Sequence, residues 1–455
     1  MKRQPDLRAT GSSSEHPATR EALPALPGAC LFDGLALAVL IVATVPAAGS
    51  WHSESIPWLI AAAALVGAGI VAVARGAPPI DGTELRRVGA AALVVTTLVG
   101  LTRTVPETSS AGDYDAPRLA IHACVLLLAA HRFFLARADG RFDMAAFFAL
   151  GLLLRLVAIA ATPDPHIDVW DCHQAGSDHL LAGRNPFAEQ MPNRNALLHG
   201  YALSGYPYPP LTLLLLAPFK AAVGDVRYGM VALELLALVA LWRAILARSR
   251  GVAAALEPFL LCFYLQPAAA VIAEKAWTEP LTIAALALIL RFPRSGAVLG
   301  LALAIKQYMV SWALLLVTGP GPRLRRAAIA CVFAGATTLP FAFADWERFV
   351  ESVGFSRVAF RLDNLSLNRA LHHFFAWHVD PARATALVGA AWLLVAAVAA
   401  RRGFARRATF VWRLNVAAAF AAHLLGYGFL NNYYYLEGLA LLQMLQLATS
   451  ETARS

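Results

Sequence analysis

The sequence predicts an all-α, polytopic membrane helical bundle of about 13–14 membrane segments, and three observations carry that prediction. Hydrophobic residues make up 58% of the chain and charged residues only 15%, against roughly 25% charged in an average soluble domain, and mean hydropathy is +0.58. Apolar runs recur from Leu31 almost to the C-terminus, in lengths suited to cross ~30 Å of hydrocarbon as helices. Arginines gather in short clusters between those runs, as the positive-inside rule expects, so the formal charge of +9 is topological and argues for a bilayer rather than nucleic acid. Lysine is confined to Lys2, Lys220, Lys275 and Lys306 while Ala and Arg abound, a bias attributed to a GC-rich bacterial genome.

Residues 1–30 are polar, Pro-rich and basic at Lys2, Arg3, Arg8 and Arg20. They lack the compact apolar stretch and small-residue cleavage site of a signal peptide and read as a disordered cytoplasmic tail. Of the five cysteines, Cys124, Cys262 and Cys331 fall in apolar runs, Cys30 ends the tail and only Cys172 lies in the large outer loop, so no disulfide framework is expected.

With the tail placed inside, spans at 31–48, 57–75, 87–101, 118–136 and 143–161 alternate cleanly with the charges, leaving Arg75, Arg86, Arg87, Arg132, Arg137 and Arg141 inside. The fifth span delivers residues 162–208 outside, a segment with five acidic residues, two arginines and four histidines, too long for a passive turn. Residues 209–224 are apolar, yet a crossing there would put Arg243, Arg248 and Arg250 outside; they are expected to lie at the membrane surface, with the true crossing at 226–248. The chain then emerges at 252–268, returns at 279–292, and forms a hairpin over 295–318 with Lys306 near its outer tip. A span at 325–343 leads to a second outer loop, 344–381, whose start has amphipathic helical spacing. Spans at 383–400, 409–429 and 433–448 finish the chain with both termini cytoplasmic. The organisation is therefore a tail (1–30), a four-span extension (31–140) and a membrane core (141–450) with outer loops 162–225 and 344–381.

This threading converges polar residues on one face. Asp164, His166, Asp168, Asp171 and His173 follow span five; Glu274 to Glu279 form a short turn; Lys306 and Gln307 cap the hairpin; Arg361, Asp363, Asn364, Asn368, His372 and His373 lie in the second loop; Asn431, Asn432 and Tyr433 open the last span. Loop residues ordinarily just face water, but three carboxylates within eight residues directly after a span, opposite a basic and amide-rich rim, suit deprotonation of an acceptor hydroxyl and stabilisation of a phosphate leaving group. Asp168, Asp171 and His173 would suit a divalent metal by donor type. Their spacing is no strict metal motif, and cationic side chains can stabilise a lipid phosphate alone, so a divalent metal is the less favoured of two readings and no other cofactor is assigned. Arg155, Glu234, Glu257, His423 and Glu437 fall inside spans, where ionisable groups by default suggest a cavity or pathway; Arg155 could instead snorkel outward. The tyrosines at Tyr206 and Tyr208 and at Tyr433, Tyr434 and Tyr435 suit either an aromatic belt or a sugar or prenyl platform.

The run IDVWDCHQAGSDHLLAGRNPF (Ile167 to Phe187) and YPYPPLTLLLLAPF (Tyr206 to Phe219) resemble the first outer loop of the polytopic glycosyltransferases of the GT-C superfamily, nearest to glycosyltransferase family 87, the polyprenyl-phosphomannose-dependent mannosyltransferase-like proteins. WTEPL (Trp277 to Leu281), GLALAIKQY (Gly300 to Tyr308), DNLSLNRAL (Asp363 to Leu371) and NYYYL (Asn432 to Leu436) continue the resemblance, over about 143–448. It implies a GT-C-like core with juxtamembrane helices in the large loop and a catalytic Asp just beyond the first core span. That Asp is Asp168, with Asp171 the next candidate. It implies donor-side roles for Lys306, Gln307, Tyr308 and the Arg361 to Asn364 segment. With the outer-face residues above, the expected donor and phosphate-binding set is Lys306, Gln307, Tyr308, Arg361, Asn364 and His372, and the expected substrate-binding set is His173, Tyr208, Glu279, Asn432 and Tyr433. The four spans before residue 140 have no counterpart in that core, and an apolar residue would be expected at Asp171.

The expected function is inverting transfer of a sugar, mannose-like by resemblance, from a polyprenyl-phosphate donor to a glycan, glycolipid or protein acceptor, at the extracytoplasmic face of a bacterial cell membrane. The rival is a secondary transporter or lipid flippase, which would place internal repeats and paired broken helices near mid-membrane. The sequence shows one broken hairpin, no obvious repeat, and acids concentrated at the outer face.

Overall fold

A computed structural model describes residues 23–44, 53–102, 111–135, 141–192, 205–318, 322–353, 366–377, 407–425 and 430–451, with scattered positions between 379 and 397. Among the described residues there are 18 α-helices and no strand beyond a single bridge between Leu26 and Ile80. The chain is an all-α polytopic membrane bundle.

The N-terminal helices are α1 (Ala29–Thr44), α2 (Ile56–Arg75), α3 (Gly82–Thr102), α4 (Ala111–Ala130) and α5 (Arg141–Ala161), with a π-turn over His131–Leu135 prolonging α4. Gly76, at φ 68°, ends α2 in the left-handed conformation that costs a residue without Cβ little. Helix α6 (Asp168–Leu181) follows, then α7 (Pro210–Val223), which starts on a proline whose missing N–H costs nothing in a first turn. After α8 (Arg227–Arg248) come α9 (Arg250–Tyr264) and α10 (Ala268–Glu274), broken at Gln266 and Pro267 and bent by 51°. Pro267 lacks the N–H that would continue the ladder. Helix α11 (Glu279–Arg291) leads to the hairpin: α12 (Gly296–Leu303), a 3₁₀ segment Gln307–Ala313 and α13 (Leu314–Thr318). Both arms pack on α14 (Arg323–Ala344), and Lys306 sits at the break. The remainder comprises α15 (Trp346–Val353), α16 (Leu367–Phe375), α17 (Arg407–Leu425) and α18 (Leu430–Glu451).

Helices α9 to α11 and α18 form the centre; nearly every residue from Val252 to Ile289 and from Tyr433 to Leu447 is buried. Helix α1 packs on α18 and α3 on α9, so the four helices before residue 140 share the central core. Residues 23–30, assigned from sequence to the tail, are structured: Leu26 exchanges backbone hydrogen bonds of 2.8 and 2.7 Å with Ile80, and Cys30 is buried.

The segment count differs from expectation. Among the described residues six helices are long and apolar enough to cross a membrane, or seven if the bent pair α9–α10 is one span. Less than half of each is buried inside the protein, leaving apolar faces suited to lipid. Some of the other apolar runs fold as shorter pieces: α1 has 16 residues and α11 has 13, the latter ~20 Å of helix against ~30 Å of hydrocarbon. Polar and proline breaks at 266–267 and 306 divide two more. The expected span at 383–400 lies largely outside the described residues.

The ionisable residues within spans also correct their reading. Arg155 does not snorkel. Its guanidinium, 1% exposed, pairs with Glu234 at 3.1 Å, donates to the carbonyls of Gly151 and Tyr264 at 3.0 and 2.9 Å and to the Tyr434 hydroxyl at 3.2 Å, and lies 4.2 Å from the Tyr264 ring centroid. Tyr434 in turn donates to Glu234 at 2.5 Å. Glu257 is held bidentately by Arg132, both contacts 2.9 Å, and Glu437 accepts from Thr44 and Gln266 at 3.0 and 2.7 Å. Asp33 on α1 is clamped by Arg413 at 2.9 and 2.7 Å and by Gln443 at 2.7 Å. These groups tie helices together through partners distant in sequence, and lining a pathway is not needed to account for them.

Candidate active site

One end of the bundle is assembled by Arg227, the first residue of α8. Its guanidinium pairs with Asp225 at 2.5 Å and donates to the carbonyls of Thr162, Glu274 and Pro163 at 2.7, 3.2 and 3.5 Å, while its charge lies 5.6 Å from the Trp170 ring centroid. A single side chain thus fixes the exit of α5, the first turns of α6, and the turn before α11. Sequence reasoning missed it. The available signal was an arginine opening an apolar run at the end away from the Arg243 to Arg250 cluster.

Helix α7 belongs to the same end. Thr212 in its first turn donates to the Ile305 carbonyl at 2.7 Å, and Gly224 (φ 79°) turns the chain from its last residue into Asp225 and Arg227. Both of its ends being held here, α7 does not carry the chain across the bundle, and it packs on α6 with Lys220 paired to Asp178 at 3.3 Å. Phe187, packed at 4.9 to 5.8 Å on Tyr206, Phe341 and Phe349, forms an aromatic cap that joins the loop after α6 to α14 and α15.

Lys306 stands inside this assembly. Its ammonium forms an ion pair with Glu279, the fully buried first residue of α11, and lies 5.8 and 5.1 Å from the ring centroids of Tyr208 and Tyr308. Tyr308 packs on Tyr435 at 4.7 Å, whose hydroxyl accepts from the Trp312 indole at 3.2 Å. Gln307 donates to the carbonyls of Pro207 and Val353 at 2.7 and 3.3 Å, pinning the loop before α7 and the end of α15 to the hairpin. His173 stacks on Tyr208 at 5.0 Å with an interplanar angle of 25° and meets the Tyr206 hydroxyl at 2.7 Å through Nδ1. Burial, and then the Lys306 charge, push the His173 pKa down to about 3, so its ring is neutral at any ordinary pH.

Asp168 and Asp171 lie on the first turn of α6, where the helix dipole favours acidic residues. Asp168 is half-buried, with Oδ1 accepting from the Val169 amide at 2.9 Å, and Asp171 is buried. Together with burial, the pair pushes the Cys172 thiol pKa well up. At about 100° per residue, Asp168 and His173 leave the helix roughly 140° apart. One helix therefore joins the carboxylates on one side to the His173, Tyr208 and Lys306 group on another.

Of the residues singled out from sequence, the structure brings together Lys306, Glu279, Tyr308, Tyr208 and His173, places Gln307 as their backbone tie, and sets Asp168 and Asp171 on the adjoining helix. Tyr433, expected to bind substrate, is buried at the start of α18, but it is Tyr435, named from sequence only as part of the aromatic cluster, that packs on Tyr308. His372 lies on α16 at 3.4 Å from Arg369, on a helix that packs on α17. Arg361 and Asn364 lie outside the described residues, as does the side chain of Asn432. Among the described residues no group of three or more His, Cys, Asp and Glu side chains is arranged to hold a metal ion.

The family profile of glycosyltransferase family 87 matches residues 206–429. The chain belongs to glycosyltransferase family 87. The matched segment opens at Tyr206, within the aromatic group around His173, and contains Glu279 and Lys306. Asp168 and Asp171 precede it. No curated protein and no solved structure matches the chain. Family membership and the apolar helices together make this a multi-pass membrane glycosyltransferase.

Proposed function

We propose that this membrane glycosyltransferase moves a hexose from a polyprenyl-phosphate donor to an acceptor hydroxyl with inversion, at the extracytoplasmic face of a bacterial cell membrane. The observation that carries the proposal is the gathering, at one end of the bundle, of an acid-bearing helix start and a partly buried ammonium flanked by tyrosines. Charge placement supports the sidedness. Arg248 and Arg291 line a shared cleft at the other end of α8 and α11, and the tendency of basic residues to stay in the cytoplasm favours an outer position for the Asp168 end.

In this reading Asp168 takes the proton of the acceptor hydroxyl as its oxygen attacks the anomeric carbon. The bond from that carbon to the phosphate oxygen breaks, and polyprenyl phosphate leaves with the electron pair. Lys306 offsets the charge that grows on the leaving phosphate, which a preorganised cation in a low-dielectric site does without reorganising. Glu279 orients the ammonium, and Tyr208 and Tyr308 keep water from its flanks. Lysine has three donors, and the Glu279 ion pair engages one, so hydrogen-bonding capacity remains for phosphate oxygens. Gln307 serves by fixing the loop that presents Tyr208.

The test is full-length protein in proteoliposomes given a radiolabelled polyprenyl-phosphate hexose and a lipid extract as acceptor source. Release of polyprenyl phosphate with label moving to a new product is the expected result. Label crossing the bilayer while still on the intact donor would replace this reading with transport.

A further inference from the structure

Resting on the lipid-phosphate reading above, a second group beside Lys306 can be assigned to the leaving phosphate. His173 is fully buried between two tyrosines, with Nδ1 2.7 Å from the Tyr206 hydroxyl and the ring stacked on Tyr208. Its other nitrogen, Nε2, is buried and has no hydrogen-bond partner among the described residues. Leaving a buried polar atom unpaired costs on the order of 1–3 kcal/mol, which marks such an atom as one with a role.

The Tyr206 hydroxyl decides which ring nitrogen carries the proton. Tyr206 is itself fully buried, and His173 is its one hydrogen-bond partner among the described residues through the side chain. Were Nδ1 protonated, the hydroxyl would have to accept, and its own hydrogen would be stranded in the core. The hydroxyl therefore donates to Nδ1, and the imidazole hydrogen resides on Nε2. The ring is neutral under the combined effect of burial and the nearby ammonium. Tyr208 connects the two groups, since His173 stacks on its ring and the Lys306 ammonium lies 5.8 Å from its centroid.

We infer that His173 Nε2–H is a second, uncharged hydrogen-bond donor to the phosphate of the lipid donor, and that Tyr206 is the positioning residue that holds the imidazole in the donating tautomer. A cation supplies attraction without direction, whereas a locked N–H fixes an oxygen in space. The pair would distinguish a phosphate from the uncharged alcohol of the same lipid.

The test uses full-length protein in detergent micelles, with farnesyl phosphate, farnesol and inorganic phosphate as probes and titration calorimetry as readout. The parent protein should prefer farnesyl phosphate to both others. His173→Phe, which keeps the stack and removes the donor, should lose roughly 10- to 100-fold of that preference, the worth of a hydrogen bond to a charged group. His173→Gln, whose amide can accept from Tyr206 and still donate, should recover most of it, and Tyr206→Phe should fall between. If the parent does not prefer farnesyl phosphate to farnesol, the lipid-phosphate reading fails and this inference with it. If inorganic phosphate binds as tightly as the lipid phosphate, the assignment to a lipid headgroup is overturned. If the parent shows the preference and His173→Phe keeps it, or His173→Gln is no better than His173→Phe, this inference alone is overturned. Should both His173 variants fail to fold by gel filtration, an unchanged preference in Tyr206→Phe overturns it.

Discussion

Two ion pairs, Arg155–Glu234, fully buried, and Lys306–Glu279, whose lysine side chain is 11% exposed, each join a basic residue to a glutamate distant in sequence. Their surroundings separate them. Arg155 spends its fork of donors on Glu234, two carbonyls and Tyr434 and rests on the Tyr264 ring, so both of its terminal nitrogens are engaged by the protein. Among the described residues Lys306 has one carboxylate and two ring faces. A compact ammonium with donors to spare suits a changing partner, while a guanidinium filled by fixed partners suits a joint between helices. The number of donors already engaged, more than burial or charge, tells the two apart.

That contrast can be broken in four ways. The largest effect belongs to the adjoining carboxylate. Asp168→Asn should lower transfer by about 10² to 10⁴, the contribution of a general base, with membrane insertion unchanged; near-parental turnover in the proteoliposome assay would remove Asp168 from the role. Next, Arg155→Met should destabilise the bundle by roughly 3–5 kcal/mol by stranding Glu234, measured by thermal melting in detergent, whereas Arg155→Met with Glu234→Leu should regain most of that loss. Third, Lys306→Gln combined with Glu279→Gln keeps the volume and strands no charge. It should leave the melting temperature near that of the parent and lower transfer by about 10- to 100-fold; a melting loss as large as that of Arg155→Met would make the two pairs equivalent after all. The smallest effect, taken per pH unit, is a pH slope. His173 resists protonation when folded, to about pH 3, and protonates near pH 6.5 when unfolded. Its contribution is therefore fully present above pH 6.5 and is lost as pH falls toward 3, by up to about 1.4 kcal/mol per pH unit. His173→Phe should flatten the melting curve over that window, and a slope identical to the parent's would show that His173 is not buried in the neutral form.

Much of the architecture was legible from the chain because it depends on local quantities. Apolar length and arginine placement located α2, α3, α5, α8 and α14 to within a few residues, and the cost of putting Arg243, Arg248 and Arg250 on the wrong side kept 209–224 from being read as a crossing. The same threading brought Lys306, Glu279, Tyr208 and His173 to one face. Partners of interior charges were not legible. Arg155 and Glu234 are 79 positions apart and meet only because α5 and α8 pack, a fact no periodicity contains. Tyr435 rather than Tyr433 reaches Tyr308 because of the rotation of α18 about its axis, which three consecutive tyrosines leave undetermined. Arg227 escaped notice for a related reason: its work is done on backbone carbonyls, which every residue possesses.

The clamp on Asp33 has a consequence for biogenesis. Its partners Arg413 and Gln443 lie 380 and 410 positions downstream. At roughly 5–20 residues per second of synthesis, α1 is made about 20 to 80 s before either neighbour. A nascent chain halted anywhere before residue 413 would hold Asp33 without the two side chains that clamp it in the finished protein, a ready mark by which quality control could sort unfinished copies from complete ones.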